Sequence, residues 1–269
     1  MEKRFLTPQE TIGVIIANGR RVLAQSLGRT FVLSLLAGVY ISFGAQLTTV
    51  VTSDAAAHFG TGVARLLGGS VFSIGLMLVV VCGAELFTGN SFLASSVLDG
   101  EISLSKMLEN WGVVIVGNLL GALFFVWMMA ESRLWESGNV GAHAVDIATA
   151  KCNLSFWVAF LRGVLCNWLV CLAVFMATAA RDIPGKILAC YVPIMTFVAS
   201  GFEHSVANIY FIPSGLLIKG AFPAVDPGLT WSNFLLANLI PVTLGNIVGG
   251  VIFVASAYWY VHSGGKSGK

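Results

Sequence analysis

Charge is scarce in this chain of 269 residues. Asp, Glu, Lys and Arg make up 10% of it, hydrophobic residues 57%, and mean hydropathy is +0.85; a soluble domain carries about 25% charged residues. That deficit excludes a cytosolic globular enzyme and points to a membrane protein in contact with a lipid bilayer. The formal net charge of +2 is too small for a basic surface that neutralises phosphates, so a nucleic-acid partner is set aside. The five cysteines, Cys82, Cys152, Cys166, Cys171 and Cys190, contain no CxxC pair. All but Cys152 lie in apolar stretches where a small buried thiol is the ordinary occupant, and no disulfide framework, metal site or cofactor is expected. No signal peptide is expected either, because the first 30 residues show no short apolar core with a small-residue cleavage site. With Lys3, Arg4, Arg20, Arg21 and Arg29 ahead of the first long apolar run, residues 1–30 read as a basic amphipathic helix at the membrane surface, where anchoring is favoured over a direct role.

What the chain has in abundance is apolar runs of spanning length, about 20 residues. Four are uninterrupted: Phe31 to Val51, Trp111 to Ala130, Gly163 to Ala180 and Ser232 to Val261. Two more are broken, Leu66 to Leu98 at Glu85 and Ile187 to Ile218 at Glu203 and His204. Together they predict an all-α domain of six crossings over residues 31–261, followed by a short tail, 262–269. Placing the N-terminus in the cytoplasm puts Lys3, Arg4, Arg20, Arg21, Arg29, Lys106, Arg181, Lys186, Lys266 and Lys269 inside, against Arg65, Arg133, Lys151 and Lys219 outside. Short cytoplasmic loops collect Lys and Arg, so both termini are expected in the cytoplasm.

An internal repeat organises these crossings. GxExxxxN occurs at Gly83, Glu85 and Asn90 and again at Gly201, Glu203 and Asn208, and the following span carries GNxxG at Gly117, Asn118 and Gly121, then at Gly245, Asn246 and Gly249. Gly38 and Gly163 match loosely in the leading spans. Two three-crossing halves, about 31–130 and 157–261, are therefore expected, the second inverted by the odd number of crossings. Inverted repeats with discontinuous helices place a solute path near the bilayer midplane, because the backbone freed by a break must be buried in protein or line a cavity. The GNxxG glycines are expected to let helices approach closely.

Of the thirteen acidic residues, only Glu85 and Glu203 lie inside apolar spans. An ionisable group at that depth costs about 2.5–3.5 kcal/mol on insertion scales. Their place at the breaks favours a structural role over a proton carrier, with each carboxylate capping the free N–H groups of the resuming half-helix. His204 has no twin, since Leu86 occupies the matching position. It is either a hydrogen-bonded core residue or, beside a helix break, a functional one able to change charge near neutral pH. Thr88, in the opposite break, is a candidate partner across the pseudo-two-fold, and Asn90, Asn167 and Asn208 add uncharged donors. Phe72, Leu76, Leu86, Phe87 and Phe197 surround the breaks, either as apolar collars or as ordinary helix packing.

The strings GAELFTGN (Gly83 to Asn90), RGVLCNWLVCLA (Arg162 to Ala173), ASGFEHSVANIYFIPSG (Ala199 to Gly215) and VTLGNIVGG (Val242 to Gly250) resemble the formate/nitrite transporter family over nearly the whole chain. The resemblance implies a homopentamer of aquaporin-like protomers in a bacterial or archaeal cytoplasmic membrane, each with its own pore for formate, nitrite, hydrosulfide or related small monovalent anions. It implies a central pair, Thr88 and His204, constrictions at Phe72, Leu76, Leu86, Phe87 and Phe197, a vestibule lysine at Lys151, and polar pore residues at Asn167 and Asn208. A part in gating for the N-terminal helix has no unambiguous match here. Formate is the expected substrate, since FEHSVANIYFIPSG with Leu216, Leu217 and Ile218, and GKILACYVPIM, look nearest to the formate members; nitrite and then hydrosulfide follow. Lys151 would attract the anion, and protonation would spare it the cost of crossing an apolar collar as a charge.

Other classes fare worse. A neutral-solute channel of the aquaporin kind would need paired NPA motifs, which are absent. A membrane enzyme would need a buried catalytic pair or several haem or metal ligands, and His58, His143 and His262 are expected in loops or at a span end.

Overall fold

A computed structural model describes residues 5–222 and 226–263; Lys3, Arg4, Lys266 and Lys269 lie outside the described residues. Six helical stretches are long and apolar enough to cross a membrane. The first is α2 (Leu27–Thr52), preceded by α1 (Pro8–Leu23). The second runs through α3 (Ala55–Phe72) and α4 (Ile74–Cys82), breaks, and resumes in a 3-10 turn (Gly89–Phe92) and α5 (Leu93–Leu98). The third is α6 (Leu104–Glu131). A further helix, α7 (Val140–Cys152), precedes the fourth crossing, α8 (Phe156–Ala179). The fifth is α9 (Ile183–Ser200), a break, and α10 (Ser205–Ile218), and the sixth spans Trp231–Ser263 with π-helical segments at Phe234–Leu239 and Val251–Ser256. The expected six crossings and two breaks are all present, whereas α7, with His143 on it, occupies what reads in the sequence as a loop.

Local chemistry explains where these helices begin and end. Ser26, Ser103, Ser155, Asp182 and Thr230 each accept a backbone N–H in the first turn of a crossing, and Thr7 with Glu10 forms a capping box at the start of α1. Such side-chain oxygens satisfy donors that have no partner within the helix. At the breaks, α4 and α9 end on glycines in the left-handed region, Gly83 at φ 77° and Gly201 at φ 78°. Side chains with a Cβ rarely adopt that conformation.

The GNxxG glycines pack as expected. A Cβ at Gly121 would fall on the Leu35 carbonyl of α2, and one at Gly245 on the Phe160 carbonyl of α8. So α6 lies against α2, and the sixth crossing against α8, at backbone contact distance. The leading-span match needs correction by one helical turn. Asn118 donates to the Ser34 carbonyl and Asn246 to that of Gly163, so Ser34 is the counterpart of Gly163. Gly38, whose Cβ would meet the Asn118 carbonyl, then corresponds to Asn167, which donates to the Asn246 carbonyl.

The same register relates α1 to α7. The caps Ser26 and Ser155 coincide, Gly19 meets Ser96 of α5, and Ala148 meets Gly215 of α10. Lys151 therefore has Val22 as its counterpart, and the repeat includes a short helix ahead of the leading crossing in each half.

Candidate functional site

Each break leaves backbone groups without helical partners, and an asparagine from the next crossing takes them up. Asn118 Oδ1 accepts from Phe87 N (2.9 Å), and its Nδ2 donates to the carbonyls of Ser34 (2.8 Å) and Glu85 (3.0 Å). In the other half, Asn246 Oδ1 accepts from Ser205 N (2.9 Å) and its Nδ2 donates to Gly163 (2.8 Å) and Glu203 (3.0 Å) carbonyls. The expected capping by Glu85 and Glu203 is thus replaced. The carboxylates turn to side-chain donors: Asn118 and Asn246, which carry both an acceptor and donors, take the Phe87 and Ser205 N–H groups, and His204 takes that of Ala207.

Glu203 Oε1 and Oε2 each accept from Lys151 Nζ at 2.9 Å, and Oε2 also accepts from Asn208 Nδ2 at 2.7 Å. Asn208 donates as well to Asn238 Oδ1 (2.7 Å), while Asn238 donates to the Lys151 carbonyl (3.0 Å). The twin cluster has Asn90 Nδ2 donating to Glu85 Oε2 and to Asn110 Oδ1, both at 2.9 Å. Among the described residues no cation pairs with Glu85. Sequence reasoning passed over Asn110 and Asn238, although each stands the same distance before its GNxxG asparagine.

His204 is the N-cap of α10: its Nδ1 accepts from Ala207 N at 3.1 Å, and Nε2 lies 3.0 Å from Thr88 Oγ1. A backbone N–H can only donate, so this pattern assigns the neutral ring's proton to Nε2, which donates to the threonine. The ring stacks on Phe197 at 5.9 Å. Because asparagine also caps helices well, His204→Asn is expected to keep the break folded while losing the bond to Thr88. Its uptake profile across pH should change with no change in oligomer size on gel filtration, and identical transport at every pH would remove His204 from the mechanism.

Three cavities lie in series. On the α7 side a cavity of about 160 Å³ is bounded by Thr48, Ile147, Lys151, Asn208, Phe72 and Phe197, with His204 at its base. On the α1 side one of about 230 Å³ is bounded by Glu85, Asn90, Val79, Val174, Leu76 and Leu86. Between them a chamber of about 10 Å³ shares Phe72, Phe197 and His204 with the first and Leu76 and Leu86 with the second. Three expected pathway residues lie elsewhere: Thr88, fully buried, stands behind His204 and lines none of the three cavities. Phe87 packs edge-on against Trp111 with ring centres 5.7 Å apart, since its N–H is held by Asn118. Asn167 is fully buried on α8 and donates to the carbonyls of Thr88 and Asn246 and to Ser91 Oγ.

Helix α7 presents Lys151 to the first cavity and is tied to α2 by His143 Nε2, 2.8 Å from Thr52 Oγ1. Burial pushes the His143 imidazole below its ordinary value, against the opposing pull of Asp146. Burial also pushes the Cys152 thiol up to about 11, which keeps it protonated. Among the described residues no cluster of three His, Cys, Asp or Glu side chains is placed to hold a metal ion.

The family sequence model described as "Formate/nitrite transporter" matches residues 9–260. The chain belongs to the formate/nitrite transporter family. A "Probable formate transporter" of Methanothermobacter thermautotrophicus is 43% identical, covering 97% of this chain and 99% of that one. "Formate channel FocA" of Escherichia coli (strain K12) is 38% identical over 87% of this chain and 86% of its own length. Among solved structures, a "Pentameric formate channel with formate bound" superposes with a TM-score of 0.79 at 39% identity, covering 88% of this chain and 98% of that one. Membership in the formate/nitrite transporter family makes this a multi-pass membrane protein of transport, among channels and transporters rather than enzymes.

Proposed function

We propose that the protein is a homopentameric channel for small monovalent anions, formate first among them, in a bacterial or archaeal cytoplasmic membrane, with both termini and α1 on the cytoplasmic side. The excess of Lys and Arg on that side supports the orientation, and relatives named for formate support the substrate. The observation that carries the reading is the series of cavities. A polar vestibule on each side meets a chamber with room for about one water molecule, bounded by Phe72, Leu76, Leu86 and Phe197. A bare anion would have to leave its hydration shell there at high cost. Proton transfer to the anion of a weak acid, such as formate, removes that charge, and the neutral formic acid passes as the collar side chains swing aside.

Lys151 keeps one ammonium hydrogen beyond the two directed at Glu203, which it can offer to an arriving anion. Asn208 gives both amide hydrogens to Glu203 and Asn238, and its buried Oδ1 has no partner. An acceptor beside a donor suits the protonated acid, which carries one group of each kind. His204 and Thr88 then act as hydrogen-bonding groups at the centre, with the proton supplied by water in the vestibule.

Formate, nitrite and hydrosulfide uptake into proteoliposomes, measured in parallel with a trapped pH dye, tests this reading. Formate is expected to move fastest and to acidify the lumen. Faster nitrite or hydrosulfide would replace the substrate, and current without proton movement would replace the mechanism.

A further inference from the structure

The carboxylate clusters of the two vestibules are built alike except for one charge. On the α7 side Glu203 is bonded by Asn208, which is bonded to Asn238, and Lys151 neutralises the carboxylate through both oxygens. On the α1 side Glu85, Asn90 and Asn110 repeat the same chain of bonds. The register fixed by the Ser26 and Ser155 caps and by the Gly19 and Ala148 contacts puts Val22 where the lysine would stand. Val22 lines a cavity of about 280 Å³ together with Asn110, Lys106 and Glu109; the Lys106 ammonium there is taken by Glu109 at 2.7 Å, and Val22 brings no cation to the cluster. Glu85 itself borders the α1-side vestibule.

The charged groups on the elements packed around Glu85 are engaged elsewhere or exposed. Arg20 of α1 pairs with Glu101, and Lys106 pairs with Glu109 of α6 at 2.7 Å. Asp99, after α5, accepts from the Trp259 indole at 3.1 Å. Arg21 and Arg29 are exposed at the ends of α1 and α2. Helices α4 and α8 carry no charged side chain beside it: Gly83 and Ala84 precede it on one side, and Val174 faces the vestibule from the other.

We propose that Glu85 makes the pathway electrically asymmetric: as an uncompensated carboxylate in the α1-side vestibule it weakens anion binding there, until it takes up a proton from that side, while the Lys151–Glu203 pair leaves the α7-side vestibule receptive. This deepens the proposed function and rests on it. Detailed balance keeps low-concentration permeability equal from the two sides at equal pH. The asymmetry therefore shows in half-saturation rather than in the initial slope. A unit charge facing the solute across a water-containing cavity corresponds to about a tenfold difference in half-saturating concentration.

The experiment compares formate influx in sealed membrane vesicles of opposite sidedness. Half-saturation from the α1 side is expected about tenfold above that from the α7 side at neutral pH, converging when the α1 side is acidified. Glu85→Gln preserves an oxygen for Asn90 and should bring the two values together at every pH. Should that variant fail to assemble, Val22→Lys, which supplies the missing cation, is expected to narrow the gap in the same way. Equal half-saturation from both sides in the unmodified protein, or an unchanged ratio in the assembled variant tested, would overturn the inference while leaving the formate reading standing. Absence of formate movement in either vesicle would overturn the substrate reading and the inference built upon it.

Discussion

Lys151→Met is expected to prevent the protein from accumulating in folded form, and adding Glu203→Gln to the same chain should restore much of what was lost. The Lys151 ammonium meets both carboxylate oxygens of Glu203 at 2.9 Å, and the side chains of the pair are 17% and 5% exposed. Glu203 is enclosed where its twin Glu85 is only half-buried, and breaking a buried pair by removing one partner costs about 3–5 kcal/mol, because the other charge is left uncompensated. That is a large share of a typical stability of about 5–15 kcal/mol. In the double variant the charge is gone, and the glutamine carbonyl can still accept from Asn208. Membrane yield, elution as a single oligomer and the thermal midpoint in detergent measure both steps. A single variant that folds normally, with uptake weakened only at low formate, would mean that Lys151 acts on the anion alone. The refolded double variant separates the roles, since any deficit at low formate that persists in it reflects the missing cation.

The breaks, the six crossings and the inverted halves were legible because each has a local signature: Gly83 and Gly201 ahead of a carboxylate, and apolar runs of spanning length. His204 and Thr88 were legible as a pair for the same reason, each lying in the break of its half. The partners of Glu85 and Glu203 were not, because a carboxylate at a helix break suits backbone N–H groups and side-chain donors equally well in sequence. Only the placement of Asn118 and Asn246 decides between them. Helix α7 escaped because its mixed composition is neither apolar enough for a crossing nor strongly periodic, and its helical state rests on packing against α10 and α2. Phe87 and Leu86 are neighbours in the chain, yet only Leu86 reaches the chamber. In an irregular segment, no simple periodicity fixes which of two adjacent side chains faces inward.

Asn246→Leu should unfold the second half as readily as Asn118→Leu unfolds the first, and their effects should be alike in size although only the second half contains the central histidine. Each asparagine holds one N–H and one carbonyl released by its break, and ties them to a carbonyl inside the leading crossing, Ser34 or Gly163. Leucine keeps the branched shape, is larger, and offers none of the three bonds. Every buried polar group left unpaired costs about 1–3 kcal/mol, and protein surrounded by lipid has little water to substitute. The expected loss is therefore at least about 2 kcal/mol per site, visible as a lowered thermal midpoint and dissociated oligomer. Asp at either position keeps the acceptor for Phe87 N or Ser205 N but loses both donors, so it should not rescue. The opposite result, an intact oligomer of unchanged thermal midpoint with transport abolished, would move Asn246 from scaffold to pathway. Equal damage in both halves would instead show that the GNxxG asparagine belongs to the repeat itself, as the device that lets a crossing be interrupted inside a bilayer, independent of the histidine that only one copy carries.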